Sequence, residues 1–179
     1  EEAYPGRVWS INLHGGYYSS LDYPNLNTDI CDTIGMYFNP QMFPSALVNR
    51  RTTSTLANTQ WRAAVDEQIQ QTAECNIAGQ VAINPLTRVA TVTVEVYYTS
   101  NSAYDVNYLN VFMLQDSIIG DQTGAGSNPE QMVGDKYCHM HVLRSNVTPF
   151  WGDAINTTTE GSLITKTYQY QIPESIGKT

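Results

Sequence analysis

Two stretches carry most of the information about the fold: YLNVFMLQDSIIGDQ at residues 108–122 and KYCHMHVLR at residues 136–144. The apolar run Tyr108–Leu114 is too short for a lone helix and is rich in strand-forming residues, so we predict a buried strand there. In the second stretch, alternation places His139 and His141 on one face of another strand. These stretches therefore predict β-structure in the second half of the chain.

Three further runs predict strands of the same half. Ile77–Ile83 and Val89–Tyr98 are β-branched runs, and the segment Asn84–Thr87 between them is typical of a hairpin turn. Ile164–Ile172 alternates polar and apolar residues and predicts a last strand. At least five strands with no helix among them predict an antiparallel β-sandwich-like domain over residues 76–179.

Residues 1–75 alternate predicted strands and helices. Arg7–His14 has strand alternation, and Asp29–Phe38 is a helix that Asn27 or Thr28 can cap. A short strand after Pro44 and a second helix, Gln60–Ala73, follow. This order describes half of a small α/β unit, so the predicted fold class is α+β.

Composition excludes some classes of partner. The chain has 179 residues and a formal net charge of −8, which argues against binding nucleic acid or an anionic membrane surface. No apolar run approaches the roughly 20 residues of a spanning helix, and no signal peptide is visible. Cys31, Cys75 and Cys138 form no Cys-x-x-Cys pair, and both buried free thiols and a Cys31–Cys75 disulfide stay open.

A family likeness is carried by NYLNVFMLQDSIIGDQ (residues 107–122), YCHMHVLR (137–144) and Trp151-Gly152. These residues resemble the outer-membrane-protein-28 family of Bacteroidetes. The resemblance implies an exported lipoprotein with a thioredoxin-like domain, here residues 1–75, followed by a β-sandwich domain. It also places Pro44, in FPSALVNR, where a thioredoxin fold has its cis-proline.

The resemblance implies a function as well. We expect a non-enzymatic, extracytoplasmic binding or organising module of an outer-membrane-associated lipoprotein, with an unknown protein or glycan at the cell surface as partner and no cofactor. Because the strand and helix that would carry Cys-x-x-Cys are missing, we interpret the chain as an internal fragment. A lipid anchor would lie upstream of it. The alternative is a thioredoxin-like thiol–disulfide oxidoreductase whose active-site cysteines also lie upstream.

Few residues offer chemistry of their own. His139 and His141 have the spacing of metal ligands on a strand, with Asp135 or Glu130 as an oxygen donor; the alternative is a hydrogen-bonded polar face. His14 would join them only if its segment packed at that edge. Ser, His and Asp residues are present, but no Gly-x-Ser-x-Gly motif predicts an activated nucleophile.

Surface residues supply two further hypotheses. Asp32-Thr33-Ile34 and Asp116-Ser117-Ile118 look like the Asp-Ser/Thr-apolar sites that Bacteroidetes use for O-glycosylation, which makes Thr33 and Ser117 candidate acceptors. Aromatic residues in or beside predicted loops suggest a contact surface for a glycan or protein, with ordinary loop packing as the alternative. They are Tyr17, Tyr18, Tyr23, Tyr97, Tyr98, Tyr104, Phe150 and Trp151.

Overall fold

The computed structural model of the chain describes residues 3–15, 24–50 and 54–177. The chain divides into two compact units. The first comprises Glu1–Thr72 and Asp116–Leu143, and the second comprises Ala73–Gln115 and Arg144–Thr179. The sequence interpretation instead groups all of residues 76–179 in one domain.

The described residues are mixed α+β and mostly β, which confirms the predicted fold class at this level. The helices are α1 (Asp29–Phe38) and α2 (Asn58–Gln68), and two short 3-10 turns span Ala125–Ser127 and Pro129–Gln131. The strands, in chain order, are β1 (Ser45–Ala46), β2 (Leu56–Ala57), β3 (Cys75–Asn84), β4 (Val89–Tyr98), β5 (Asn107–Leu109), β6 (Phe112–Gln115), β7 (Ile118–Gly120), β8 (Met132–Val133), β9 (Lys136–His139), β10 (Val142–Asn146), β11 (Asp153–Ile155) and β12 (Leu163–Gln171).

Helix α1 has the predicted bounds, and local signals set both of its ends. The Thr28 side chain accepts a hydrogen bond from the Cys31 amide at 3.4 Å, which satisfies one of the orphan donors of the first turn. Asn39 ends the helix in a left-handed conformation, with φ 42°. Asn tolerates that conformation better than most residues, so the Asn39-Pro40 pair stops the helix.

Helix α2 differs from the prediction, since it ends at Gln68 rather than at Ala73. Its last turn tightens: the amides of Gln70 and Gln71 donate to carbonyls three residues back. The Arg7 guanidinium donates to the carbonyl of Ile69 at 2.7 Å and satisfies a C-terminal acceptor there. This distant arginine is a contact that helical periodicity does not reveal.

The segment predicted as a strand at Arg7–His14 makes one parallel bridge instead, between Asn12 and Val142. The Asn12 amide donates to the His141 carbonyl at 2.8 Å, and the Leu143 amide donates to the Asn12 carbonyl at 2.9 Å. This bridge brings the segment alongside the turn that follows β9. The small core of the first unit is formed by Leu26, Ile118 and Val142.

In the second unit, β4 is the centre of an antiparallel sheet with the order β12-β4-β3. One face of β4 is buried and packs against the antiparallel pair of β5 and β11, so the unit has two layers around its core. The core residues are Val92, Val94, Val96, Tyr98, Leu109 and Ile155.

The prediction of a single strand over Tyr108–Leu114 is wrong, because the strand is interrupted between β5 and β6. At the break, the Val111 amide donates to the Thr148 side chain at 3.2 Å, and the Val111 carbonyl accepts from the Val147 amide at 2.8 Å. Bonds to another part of the chain thus replace ladder bonds at this residue. Within β5, Leu109 is buried and its neighbour Tyr108 faces solvent.

Candidate functional site

The expected arrangement of His139 and His141 on one strand face is wrong. Strand β9 ends at His139, and His141 lies in the connection to β10 with a positive φ of 53°. A residue in this left-handed conformation breaks the alternation of a strand. The two imidazoles therefore occupy different surroundings.

His139 is buried, with only 3% of its surface exposed. Its ring meets those of His14 and Tyr137 edge to face, with centroids 5.1 and 5.0 Å away. Its Nε2 atom has no hydrogen-bond partner among the residues that the structure describes. Burial lowers the pKa of the imidazole because it disfavours the charged form, and a backbone interaction with Asp121 opposes this in part. His139 is therefore a neutral, structural histidine at neutral pH.

His141 is held by two side chains. Its Nδ1 lies 3.1 Å from the Ser10 hydroxyl, and its backbone amide donates to Asp116 Oδ1 at 2.6 Å. The same carboxylate oxygen lies 3.9 Å from Nε2. These residues are those of a Ser-His-Asp triad, but 3.9 Å is too long for the carboxylate–imidazole hydrogen bond that orients a triad histidine. The arrangement orders the turn around His141.

All three histidines of the chain nevertheless lie in the first unit, with His14 on His139. His14 meets His139 by an edge-to-face ring contact, with an interplanar angle of 77°. Within residues 3–15, 24–50 and 54–177, no group of three or more His, Cys, Asp or Glu side chains is arranged to hold a metal ion.

The other candidate residues of the first unit are placed as follows. The Phe43–Pro44 peptide bond is cis. Thr33 is exposed on α1, where its hydroxyl donates to the Asp29 carbonyl at 2.8 Å. Ser117 is exposed between β6 and β7 with a positive φ of 61°. Both hydroxyl-bearing residues are thus on the surface, as an acceptor of a glycan must be.

None of the three cysteines forms a disulfide bond. Cys31 is fully buried, and its thiol lies 3.6 Å from the Leu143 carbonyl within the first unit. Cys75 and Cys138 are partly buried. The Cys31–Cys75 disulfide that the sequence left open is therefore absent.

The second unit carries an exposed aromatic surface, formed by Tyr108, Phe150 and Trp151. Tyr108 is 61% exposed and Trp151 is 50% exposed. The rings of Phe150 and Trp151 meet edge to face with centroids 4.7 Å apart. The following residue, Gly152, lies directly against the Tyr108 side chain. We call Tyr108, Phe150 and Trp151 the aromatic surface.

A tight turn holds the aromatic surface in place. The Gly152 amide donates to the Pro149 carbonyl at 2.8 Å, so Phe150 and Trp151 occupy the two corner positions. Gly152 has a φ of 102°, and a Cβ there would meet Tyr108 Cβ at 2.9 Å and the Leu109 carbonyl at 3.1 Å. Only glycine satisfies both the backbone conformation and the close approach. Strand β11 then pairs with β5, with Ala154 opposite Tyr108.

Charged groups fix the strand that leaves this turn. Asp153, the first residue of β11, accepts hydrogen bonds from Lys166 at 2.9 Å and from the Tyr168 hydroxyl at 2.8 Å. Lys166 also donates to the Ala154 carbonyl at 2.9 Å. The bond from Lys166, followed by that from Tyr168, lowers the pKa of Asp153. Burial, followed by the bond to Asp153, raises the pKa of Tyr168.

The aromatic residues that the sequence suggested as a contact surface differ in their exposure. Tyr98 is 1% exposed and accepts a hydrogen bond from Asn107, so the prediction that it lies at a contact surface is wrong. Tyr97 and Tyr104 are exposed. Tyr17, Tyr18 and Tyr23 lie outside the described residues. Tyr108 was missed, although its alternation with the buried Leu109 was a signal that could have found it.

These features define a class: a mainly antiparallel α+β protein with an exposed aromatic surface. Within the part of the chain that the structure describes, neither helix has the length and apolar character needed to cross a membrane.

The family model for outer membrane protein Omp28 matches residues 31–179, and the chain belongs to this family. The family name indicates an outer membrane protein. Searches of curated proteins and of solved structures each find no significant match.

Proposed function

We propose that the chain is a non-enzymatic, extracytoplasmic binding module of an outer-membrane-associated lipoprotein. Its aromatic surface contacts a glycan or protein partner at the cell surface. The observation that carries this proposal is the exposure of Tyr108 on β5 and of Trp151 on the adjoining turn, which Gly152 brings against the Tyr108 side chain. The family membership supports the location, since the matched family is one of outer membrane proteins.

The physical argument rests on preorganisation. Large rings offer apolar contact area while losing few rotamers on binding, and for that reason they dominate many recognition surfaces. Here the turn and the pairing of β5 with β11 already fix the backbone beneath the rings. The conformational entropy of this backbone is therefore lost on folding and not on binding of the partner.

The acidic composition restricts the chemical class of the partner. A chain with a net charge of −8 repels polyanions, so nucleic acid and strongly anionic polymers are poor partners. Neutral sugars and uncharged or basic peptides are compatible with the aromatic surface. No observation in the described residues favours the oxidoreductase alternative.

The test is a binding screen of the purified chain against immobilised cell-surface oligosaccharides and a peptide library. The Trp151→Ala variant is compared with Trp9→Ala, because Trp9 is a 75% exposed ring in the first unit. We expect Trp151→Ala to weaken binding of any hit at least about tenfold, as removal of a central aromatic anchor does, and Trp9→Ala to leave it unchanged. Equal affinity of the Trp151→Ala variant and the parent chain would contradict the proposal.

The lipoprotein part of the proposal has its own test. In the source cell, the full-length product should partition with the outer-membrane fraction and carry a lipid that mass spectrometry detects on its N-terminal region. Recovery of an unlipidated, freely secreted product would contradict this part and leave the binding screen unaffected.

A further inference from the structure

Strand β3 is an open edge of the three-stranded sheet in the second unit. The described residues place β4 on one side of it and no strand on the other. From Asn76 to Asn84 every residue is exposed. Ile77, Val81 and Ile83 stand 64%, 56% and 54% exposed, on the same sheet face as the buried valines of β4. The apolar face of the sheet thus continues onto an edge strand with nothing covering it.

The usual protection of an edge strand is missing from β3. Edge strands commonly carry lysine, proline, a bulge or an inward-pointing charge, which prevent them from pairing with another strand. Residues 75–87 contain no Asp, Glu, Lys, Arg or His. The register of β3 with β4 is continuous from Cys75 to Asn84, without a bulge. In contrast, β12 at the other edge of the same sheet carries Lys166.

The hydrogen bonds at the end of the ladder show which residues of β3 direct their backbone amide and carbonyl groups away from β4. The Glu74 carbonyl accepts from the Thr99 amide at 2.9 Å, one step beyond the Cys75–Tyr98 pair. Because bonded and non-bonded pairs alternate in an antiparallel ladder, the even-numbered residues of β3 bond to β4. Ile77, Gly79, Val81 and Ile83 therefore turn their amide and carbonyl groups to the open edge.

The sequence of β3 is nearly its own reverse. Residues 76–84 read NIAGQVAIN, and only Gly79 and Val81 differ when the order is inverted. A two-fold antiparallel pairing centred on Gln80 would set every residue except Gly79 and Val81 opposite an identical residue of the second copy. The pairs are Asn76 with Asn84, Ile77 with Ile83, Ala78 with Ala82, Gly79 with Val81 and Gln80 with itself.

Pairing centred on Gln80 also provides hydrogen-bond partners for the backbone groups at the open edge. With Gln80 opposite Gln80, each edge-facing odd residue meets an odd residue of the partner strand, so donors and acceptors coincide. The exposed isoleucines then cover each other on one face. Pro85 has no amide to donate, and it limits the pairing at both ends. An uncharged strand is also the part of an acidic chain at which two copies repel least.

We propose that β3 is a self-association surface, where two copies of this chain pair edge to edge, antiparallel, about a two-fold axis at Gln80. The interface is isologous, as most homodimer interfaces are. It joins two three-stranded sheets into one six-stranded sheet. This inference is independent of the aromatic surface and of what that surface binds.

Disulfide trapping tests the register. Residues directly opposite in a non-bonded antiparallel pair have Cα atoms about 4.5 Å apart, within the range of a disulfide. We expect a Gln80→Cys variant to form a covalent dimer on mild oxidation beyond the level of the parent chain, whose native cysteines set the baseline. Asn76→Cys is the matched control on the same face, because its counterpart would be about 26 Å away.

A mixing experiment sharpens the result. Neither Ala78→Cys nor Ala82→Cys should cross-link alone, whereas an equal mixture should, because positions 78 and 82 are opposite in the proposed register. Adding Val81→Lys to Gln80→Cys should abolish the cross-link, since it sets like charges on both strands. Adding Thr165→Lys, on the exposed face of β12, should leave it intact.

Circular dichroism confirms that each variant is folded before the cross-linking is compared. The proposal is overturned if Asn76→Cys cross-links as well as Gln80→Cys, if the 78/82 mixture yields no dimer, or if Val81→Lys has no effect. A cross-link of Gln80→Cys to a different protein in a cell extract, with no homodimer in the purified chain, would assign β3 to another partner and also overturn it.

Discussion

Gly152 lies so close to Tyr108 that a Cβ on the glycine would come within 2.9 Å of the tyrosine Cβ. This approach joins the turn that carries Trp151 to the strand that carries Tyr108. The turn can approach the strand this closely because Gly152 has no side chain. Five expectations follow from this and from the other contacts described above.

Gly152→Ala should destabilise the second unit by at least about 2 kcal/mol, because it adds a steric clash to an unfavourable φ. The measurement is chemical denaturation followed by fluorescence and circular dichroism. Gly161→Ala is the control: Gly161 also has a positive φ, 80°, but nothing lies within 4 Å of its added Cβ. We expect that control to cost about 1 kcal/mol, the strain alone. Equal losses in the two variants would show that the contact with Tyr108 is unimportant.

His139 should make the first unit sensitive to acid. Because burial lowers its pKa below the unfolded value of about 6.5, the unfolded state binds more protons between those two pH values. Its contribution to stability is complete above about pH 6.5 and decreases as the pH falls towards the folded-state pKa. The groups facing it are the rings of His14 and Tyr137 and the backbone of Asp121.

Unfolding midpoints measured as a function of pH check this expectation. A His139→Leu variant should lose the part of the acid dependence that comes from this residue. A His141→Asn variant, which suits the positive φ at that position, should keep it. If the pH profile of His139→Leu coincides with that of the parent chain, the explanation is wrong.

Asp153→Asn should lower the stability of the second unit at neutral pH by about 1–2 kcal/mol, because it weakens two charge-assisted hydrogen bonds. The folded-state pKa of Asp153 lies below its unfolded value, so its contribution is present above about pH 4 and is lost as the pH falls through the folded-state pKa. In the variant, the thermal unfolding midpoint should no longer show the decrease at low pH that comes from protonation of Asp153. Asp121→Asn is the control, since the Asp121–Lys136 pair is exposed and solvent screening leaves it little effect on stability.

Asp116→Ala should loosen the turn around His141, because the 2.6 Å bond from the His141 amide disappears. We expect a loss of about 1–2 kcal/mol. Asp116→Asn keeps an oxygen acceptor and should retain most of the stability. Hydrogen exchange at the His141 amide distinguishes the two variants directly: protection should fall in the alanine variant and persist in the asparagine variant.

Thr33 and Ser117 should carry O-linked glycans in the native protein, since both lie on the surface in an Asp-Ser/Thr-apolar context. Intact-mass measurement of protein from its source should show added mass. Thr33→Ala and Ser117→Ala should each remove one increment of that mass. A native mass equal to that of the unmodified chain would contradict the glycosylation hypothesis.

The elements that depend on neighbours in the chain were predictable. Helix α1 has the bounds that its cap and its Asn-Pro stop indicate, and β4 spans Val89–Tyr98 as its β-branched run predicts. The last strand is shifted by one residue, to Leu163–Gln171. In each case, the side chains that decide the structure lie within a few residues of one another, so the pattern is complete in the local sequence.

The remaining features needed the tertiary structure. The break at Val111 depends on Thr148, the end of α2 on Arg7, and the burial of His139 on His14. Tyr98 enters the core while Tyr108 faces solvent, although both stand in strands. By itself the sequence determined the secondary structure wherever capping and periodicity act locally. Which side chains are buried, paired or left exposed for a partner was decided by contacts between distant residues, because desolvation and hydrogen bonding depend on what packs against each group in space.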